Sequence, residues 1–173
     1  MENRPKTFFR KCVGRASSFP VRVYACSGIF IAHLHGNEPH SPASTDILDA
    51  GRDGSIELHT SFLTVTEVIA SERSVLRRTR ADEAFITSLM DREFISYSAV
   101  DLIIAELSRI VSWDFQIRAQ DAIHVATAIV RKCDVLYTTD RPLVTKSGQK
   151  TERATLPEIR LPEMIVRQPQ LPL

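Results

Sequence analysis

Cysteine is scarce in this 173-residue chain: Cys12, Cys26 and Cys133 are odd in number and widely spaced. Such a set builds neither a disulfide framework nor a paired zinc knuckle, and it fits a reducing cytosol. Long apolar runs are also missing. No stretch approaches the roughly 18 apolar residues that a transmembrane helix needs, and no apolar segment follows the basic start as a secretory signal requires. A cytoplasmic protein with no membrane association is therefore expected. An excess of one charge is missing as well: the net charge is +1, so any pull toward nucleic acid has to be local. What is present, 43% hydrophobic and 25% charged residues, is the composition of an ordinary globular protein. At this length one domain is the natural count, able to bury about two-thirds of its unfolded surface.

The opening stretch carries Arg4, Lys6, Arg10, Lys11 and Arg15 against the single acid Glu2, with Phe8, Phe9 and Phe19 interleaved. Basic and aromatic residues together suit a strand of RNA; the same composition also suits an organellar transit peptide or a plain flexible extension. From Val21 the pattern tightens. Residues 21–25 alternate and are β-branched, a first strand, which breaks at Cys26, Ser27 and Gly28 before an apolar helix over 29–34. Residues 37–45 read as a loop, 46–50 as a short helix and 55–60 as a second strand. Helices are expected over 61–70 and 81–91, a third strand over 94–97, and a periodic helix over 100–111 with Leu102, Ile103, Leu107 and Ile110 facing inward. A core helix over 118–130 leads to a fourth strand over 135–139. Residues 164–167 read as an added edge strand. The division is a basic extension over 1–20, one domain over 21–167 and a loose Pro-rich end over 168–173. Strands alternating with helices imply an α/β fold, a mostly parallel sheet of four to five strands between helices.

In such a sheet, polar side chains at the carboxyl ends of strands converge on one crevice. Cys26 ends the first strand, Glu67 lies in the helix after the second, Asp121 opens the core helix and Asp140 follows the fourth strand. Each acid has a plain structural explanation. Asp121 could be neutralised by Arg118, three residues back, or by a metal ion. Glu67 could close a capping box with Thr64, Asp140 could cap a helix before Pro142, and His124 suits a core position. Three carboxylates sharing one site repel, and a hard divalent cation with oxygen ligands, Mg2+ or Mn2+, explains such a cluster best.

Four segments carry a family resemblance: Val23 to Ala32, Thr60 to Val68, Arg118 to Thr127 with its Asp-Ala-Ile-His core, and Tyr137 to Asp140. In order and spacing they resemble the signature segments of PIN domains, including the VapC-type ribonuclease toxins of bacterial toxin-antitoxin modules. The resemblance implies a three-layer α/β/α nuclease that holds Mg2+ or Mn2+ on acidic residues and cuts single-stranded RNA. It implies that Glu67, Asp121 and Asp140 are the metal-binding catalytic acids, with Thr138 the hydroxyl before the last of them; Arg118 and His124, from their places beside Asp121, are read as standing behind these acids. A homodimer and a small antitoxin partner are implied as well.

One position departs from the family. Its first acid ends the first strand, and here Cys26 stands there, followed by Ser27, so these two line the pocket at the missing acid. A thiol with an ordinary pKa of about 8.5 is a poor ligand for a hard cation. The expected chemistry is metal-assisted phosphodiester hydrolysis by water, weakened by that loss. The alternative is a PIN-like module that has lost catalysis and binds RNA or a protein. Arg22, Arg141 and Lys146 are basic residues suited to the RNA backbone, though each could equally be a solvated surface charge.

Overall fold

The order in which five short strands pair decides where the polar residues meet. The computed structural model describes residues 20–69 and 80–166. Strands β1 (Val21–Ala25), β2 (Ile56–Ser61), β3 (Ile95–Ser98), β4 (Val135–Tyr137) and β5 (Glu158–Arg160) form an all-parallel sheet in the order β3-β2-β1-β4-β5. Parallel strands need crossovers, and the crossovers supply the helices. They are α1 (Ser27–His35), α2 (Ser41–Arg52), α3 (Phe62–Glu67), α4 (Arg80–Met90), α5 (Leu102–Phe115), α6 (Ala119–Val130) and α7 (Arg141–Val144).

Two apolar layers follow from the period of two along β1. Val23 and Ala25 face Ile29 and Phe30 of α1, Ile47 and Leu48 of α2, and Leu89 of α4. Tyr24 and Cys26 face the other way, against Val111 and Phe115 of α5 and Ala122 and Val125 of α6. The result is the expected three-layer α/β/α arrangement. From β1 the chain runs outward through β2 to β3, then crosses back to β4 and β5 on the other side. The reversal opens a crevice beyond the carboxyl ends of β1 and β4, where open α/β sheets bind ligands. A backbone bond from Cys26 N to Tyr137 O, 3.1 Å, closes its floor.

Several expected elements are corrected. Residues 41–45 are helical rather than a loop, because Pro42 sits in the first turn of α2, where its missing N–H is no loss. The edge strand is β5 over Glu158–Arg160; residues 164–166 form no strand, and Arg167 lies outside the described residues. Leu102 and Ile103 do not face inward: they are 72% and 66% exposed, while Ile104, Val111 and Phe115 are buried. The core stripe of α5 is thus shifted by one residue and runs toward its C-terminal end. The basic stretch over 1–19 and the Pro-rich end over 168–173 lie outside the described residues, as do residues 70–79. Among the described residues no helix is long and apolar enough to cross a membrane.

Gly28, in the first turn of α1, lies against the loop that follows β4. A Cβ built there would meet Thr139 Oγ1 at 2.2 Å and Thr139 Cβ at 3.3 Å, so the missing side chain lets α1 approach that loop. Gly28→Ala is expected to cost about 1–3 kcal/mol, as overpacking commonly does. Thermal unfolding checks this: Thr139→Ala in the same chain should restore most of the loss, and an unaffected Gly28→Ala would show that the loop yields freely.

Candidate active site

Three acids reach the crevice from three elements. Asp121 lies in the first turn of α6, Asp140 is the residue before α7, and Glu67 ends α3. Asp121 takes the plain role open to it, a bond from Arg118, while Glu67 and Asp140 do not take theirs. Asp140 makes no side-chain cap bond, and Thr64 bonds Thr60 through its hydroxyl rather than forming a capping box with Glu67. Asp121 and Asp140 share one cation. Arg118 Nε donates to Asp121 Oδ2 and Arg118 Nη2 to Asp140 Oδ2, each at 3.0 Å. Asp140 N in turn donates to Thr138 Oγ1 at 3.1 Å, which ties the turn behind β4.

Glu67 is held differently. Its Oε2 lies 2.9 Å from His124 Nε2, and His124 Nδ1 lies 2.9 Å from the hydroxyl of Tyr24. Tyr24 and His124 are both buried, so a hydrogen-bonded chain runs from the core to the crevice. Burial pushes the Glu67 carboxyl up, but the hydrogen bonds from His124 and Ser27 outweigh it and hold the group below the usual carboxylate range. An ionised Glu67 can only accept, so His124 carries a proton on Nε2. Burial pushes the Tyr24 phenol far up, which keeps it protonated and able to donate to His124 Nδ1.

Cys26 lies under all three acids. Its thiol is pushed well up by burial first and then by Asp121, with Glu67 and Asp140 adding to the effect and a hydrogen bond with Thr138 opposing it. At 4% exposure it is a protonated, neutral group at the centre of an acidic crevice. Asp121, Asp140, Glu67 and Thr138 thus act directly on it, while Arg118, His124 and Ser27 are joined to the site through the acids they bond. Arg141 follows Asp140 directly and is exposed beside the site, with Lys146 one turn beyond. Arg22 is elsewhere. It stands near the other end of β1, where its Nε donates to Glu57 at 3.0 Å. Tyr24 is the site residue that the sequence reading left unremarked; its place on the same strand face as Cys26, two residues on, is the signal that identifies it.

As a ligand set the crevice offers two carboxylates close enough to share one guanidinium, with a third turned aside to His124. Among the described residues, no group of three or more His, Cys, Asp or Glu side chains is arranged to hold a metal ion. The donors present fit a hydrated Mg2+ or Mn2+, because Mg2+ keeps several waters and is commonly held by one or two carboxylates. They do not fit a dehydrated cage of four acids.

Solved structures similar to this one include the following three. A toxin-antitoxin complex from Klebsiella pneumoniae matches with a TM-score of 0.55 and 18% identity, covering 83% of this chain and 99% of that one. Mycobacterium tuberculosis VapC20, a sarcin-ricin loop cleaving toxin, matches at 0.53 and 14%, covering 69% and 90%. VapBC2 from Rickettsia felis, bound to a DNA fragment from its promoter, matches at 0.55 and 10%, covering 71% and 91%. No relative is found among curated proteins. The PIN domain model matches residues 27–146, well over half of the chain and every acid described above. This chain belongs to the PIN domain family.

Proposed function

We propose that this PIN-domain protein is a divalent-metal-dependent endoribonuclease that hydrolyses single-stranded RNA, with Asp121 and Asp140 holding Mg2+ or Mn2+. The observation that carries the reading is the shared guanidinium: two carboxylates bonded to one cation at 3.0 Å each are placed to share another. A bound ion supplies an activated water and stabilises charge on the phosphoryl oxygens. Asp121 is aimed by α6, and Asp140 by the Thr138 hydroxyl that anchors its backbone. Glu67, fixed on His124, adds a negative charge at the rim and a position from which to hold a water rather than the ion itself. Arg141, which opens α7, and Lys146, just after it, are the basic residues to which we assign contacts with the RNA backbone. By likeness to the toxin-antitoxin complexes, we extend the reading to a homodimer and an antitoxin partner, and the exposed Leu102, Ile103 and Trp113 of α5 offer apolar surface for such contacts. Cytoplasmic location is part of the same reading.

A second reading has one observation in its favour. The family's first acid is here a buried, neutral thiol, so the protein could bind RNA or a partner without cutting. Cleavage of a labelled single-stranded RNA, with Mn2+ and with the metal chelated, separates the two. The nuclease reading expects cleavage that stops on chelation and is abolished in Asp121→Asn. Cleavage that survives both would overturn it, and RNA binding without cleavage would leave the binding module.

A further inference from the structure

Arg118 is the one basic side chain, among the described residues, that bonds either Asp121 or Asp140. It is the residue before α6, held in extended backbone at φ −60 and ψ 148, so its side chain enters the crevice from outside. Two of its five N–H donors are used on the carboxylates, and 79% of the side chain is open to solvent. Exposed ion pairs of this kind are weak and easily exchanged. The local charges do not suit RNA as they stand. Two carboxylates bond one guanidinium and a third stands beside them on His124, so a phosphodiester would bring a further negative charge to a site whose nearest cation is already engaged.

We propose that Arg118 has two alternating partners: the Asp121 and Asp140 carboxylates when no metal is bound, and a phosphodiester of single-stranded RNA once a divalent ion has replaced it between them. This rests on the nuclease reading above and adds a residue and an order of events to it. The planar fork of an arginine suits both partners, since carboxylate and phosphate take the same pair of parallel N–H donors. Released by the ion, the side chain stays within its own length of the crevice, at the N-terminal end of α6, and presents all five donors to the incoming strand. With an ion bound there, the acids would be neutralised and Arg118 would be free to hold the phosphate. A lysine cannot do the same, because its single ammonium does not span two carboxylates in the way a fork does.

Arg118→Ala separates the two partnerships, because the proposal requires effects of opposite sign. Mn2+ binding, followed by the loss of free-ion electron paramagnetic resonance signal, should tighten by roughly threefold to tenfold, the worth of two exposed ion pairs removed as competitors. Affinity for a short labelled single-stranded RNA in the presence of Mn2+, read by fluorescence anisotropy under conditions that suppress cleavage, should fall by about threefold or more. Its dependence on salt should become shallower by about one phosphate contact. Arg118→Lys should fall between wild type and Arg118→Ala on both measures. The side chain is exposed, so a normal melting curve is expected for each variant. Unchanged or weakened Mn2+ binding in Arg118→Ala overturns the proposal, and so does unchanged RNA affinity, while either result leaves the metal site intact. Failure of both wild type and Arg118→Ala to bind Mn2+ at all overturns the nuclease reading and this proposal with it.

Discussion

Cys26→Asp should tighten Mn2+ binding and speed cleavage of single-stranded RNA by about tenfold or more, each tenfold step being about 1.4 kcal/mol of barrier. The position lies under Asp121, Asp140 and Glu67, and all three act on its thiol. A carboxylate there adds a hard oxygen donor to the two that share Arg118, where the thiol offers a soft and protonated one. The same substitution puts a fourth negative charge into a site that lacks a matching cation, so the variant without metal should melt below the wild type. Its melting temperature should then rise with Mn2+ far more than the wild type's does, because an ion that binds only the folded chain stabilises it. Calorimetric melting with and without metal, alongside the cleavage assay, reads both halves. A Cys26→Asp chain that folds, binds no metal and cuts nothing would end the nuclease reading and leave the binding module standing.

His124→Leu should lower stability by about 2–4 kcal/mol, a fall of roughly 5–15 °C in melting temperature for a chain of this size. The imidazole is 2% exposed and bonds Tyr24 on one side and Glu67 on the other. Leucine fills similar space but accepts and donates nothing, so the Tyr24 hydroxyl loses its imidazole partner in the core and Glu67 loses the bond that orients it. Ser61, Thr60 and Thr127 remain beside the Tyr24 hydroxyl, so the cost is that of the two bonds lost, about 0.5–1.5 kcal/mol for the neutral one and about 1.5–3 kcal/mol for the one to the carboxylate. Tyr24→Phe in the same background removes the hydroxyl that has lost its imidazole partner, so the pair should cost less than the sum of the two single changes. Strict additivity would show that the two residues are not coupled. A His124→Leu chain as stable as the wild type would show that the chain from Tyr24 to Glu67 contributes nothing to the fold.

Much of this protein was legible before any coordinates. Strand-helix alternation predicted a mostly parallel sheet between helices, because the period of two along residues 21–25 and the apolar run over 118–130 are direct consequences of two-sided burial. The four signature segments pointed to the family that the domain match then showed over residues 27–146, while the roles of Glu67, Asp121 and Asp140 and the departure at Cys26 rest on the resemblance itself. Where local and tertiary forces compete, the sequence alone misleads. Pro42 reads as a loop residue yet opens a helix, and Leu102 and Ile103 look like core residues until the helix is docked one residue further round.

What the side chains do to one another was decided by the tertiary structure. Arg118 and Asp121 are three apart and could be paired on paper, but Asp140 is joined to the same guanidinium only because α6 packs back along β4 and brings its N-terminal end to that strand's carboxyl end. Glu67 and His124 are 57 residues apart, and Tyr24 and His124 100 apart, so no spacing rule connects them. Composition and periodicity report which residues are apolar and how often, and hence which faces are buried. Hydrogen bonds and shared charges depend on distances of a few ångströms between segments remote in sequence, and those distances exist only once the sheet order has brought the strand ends together.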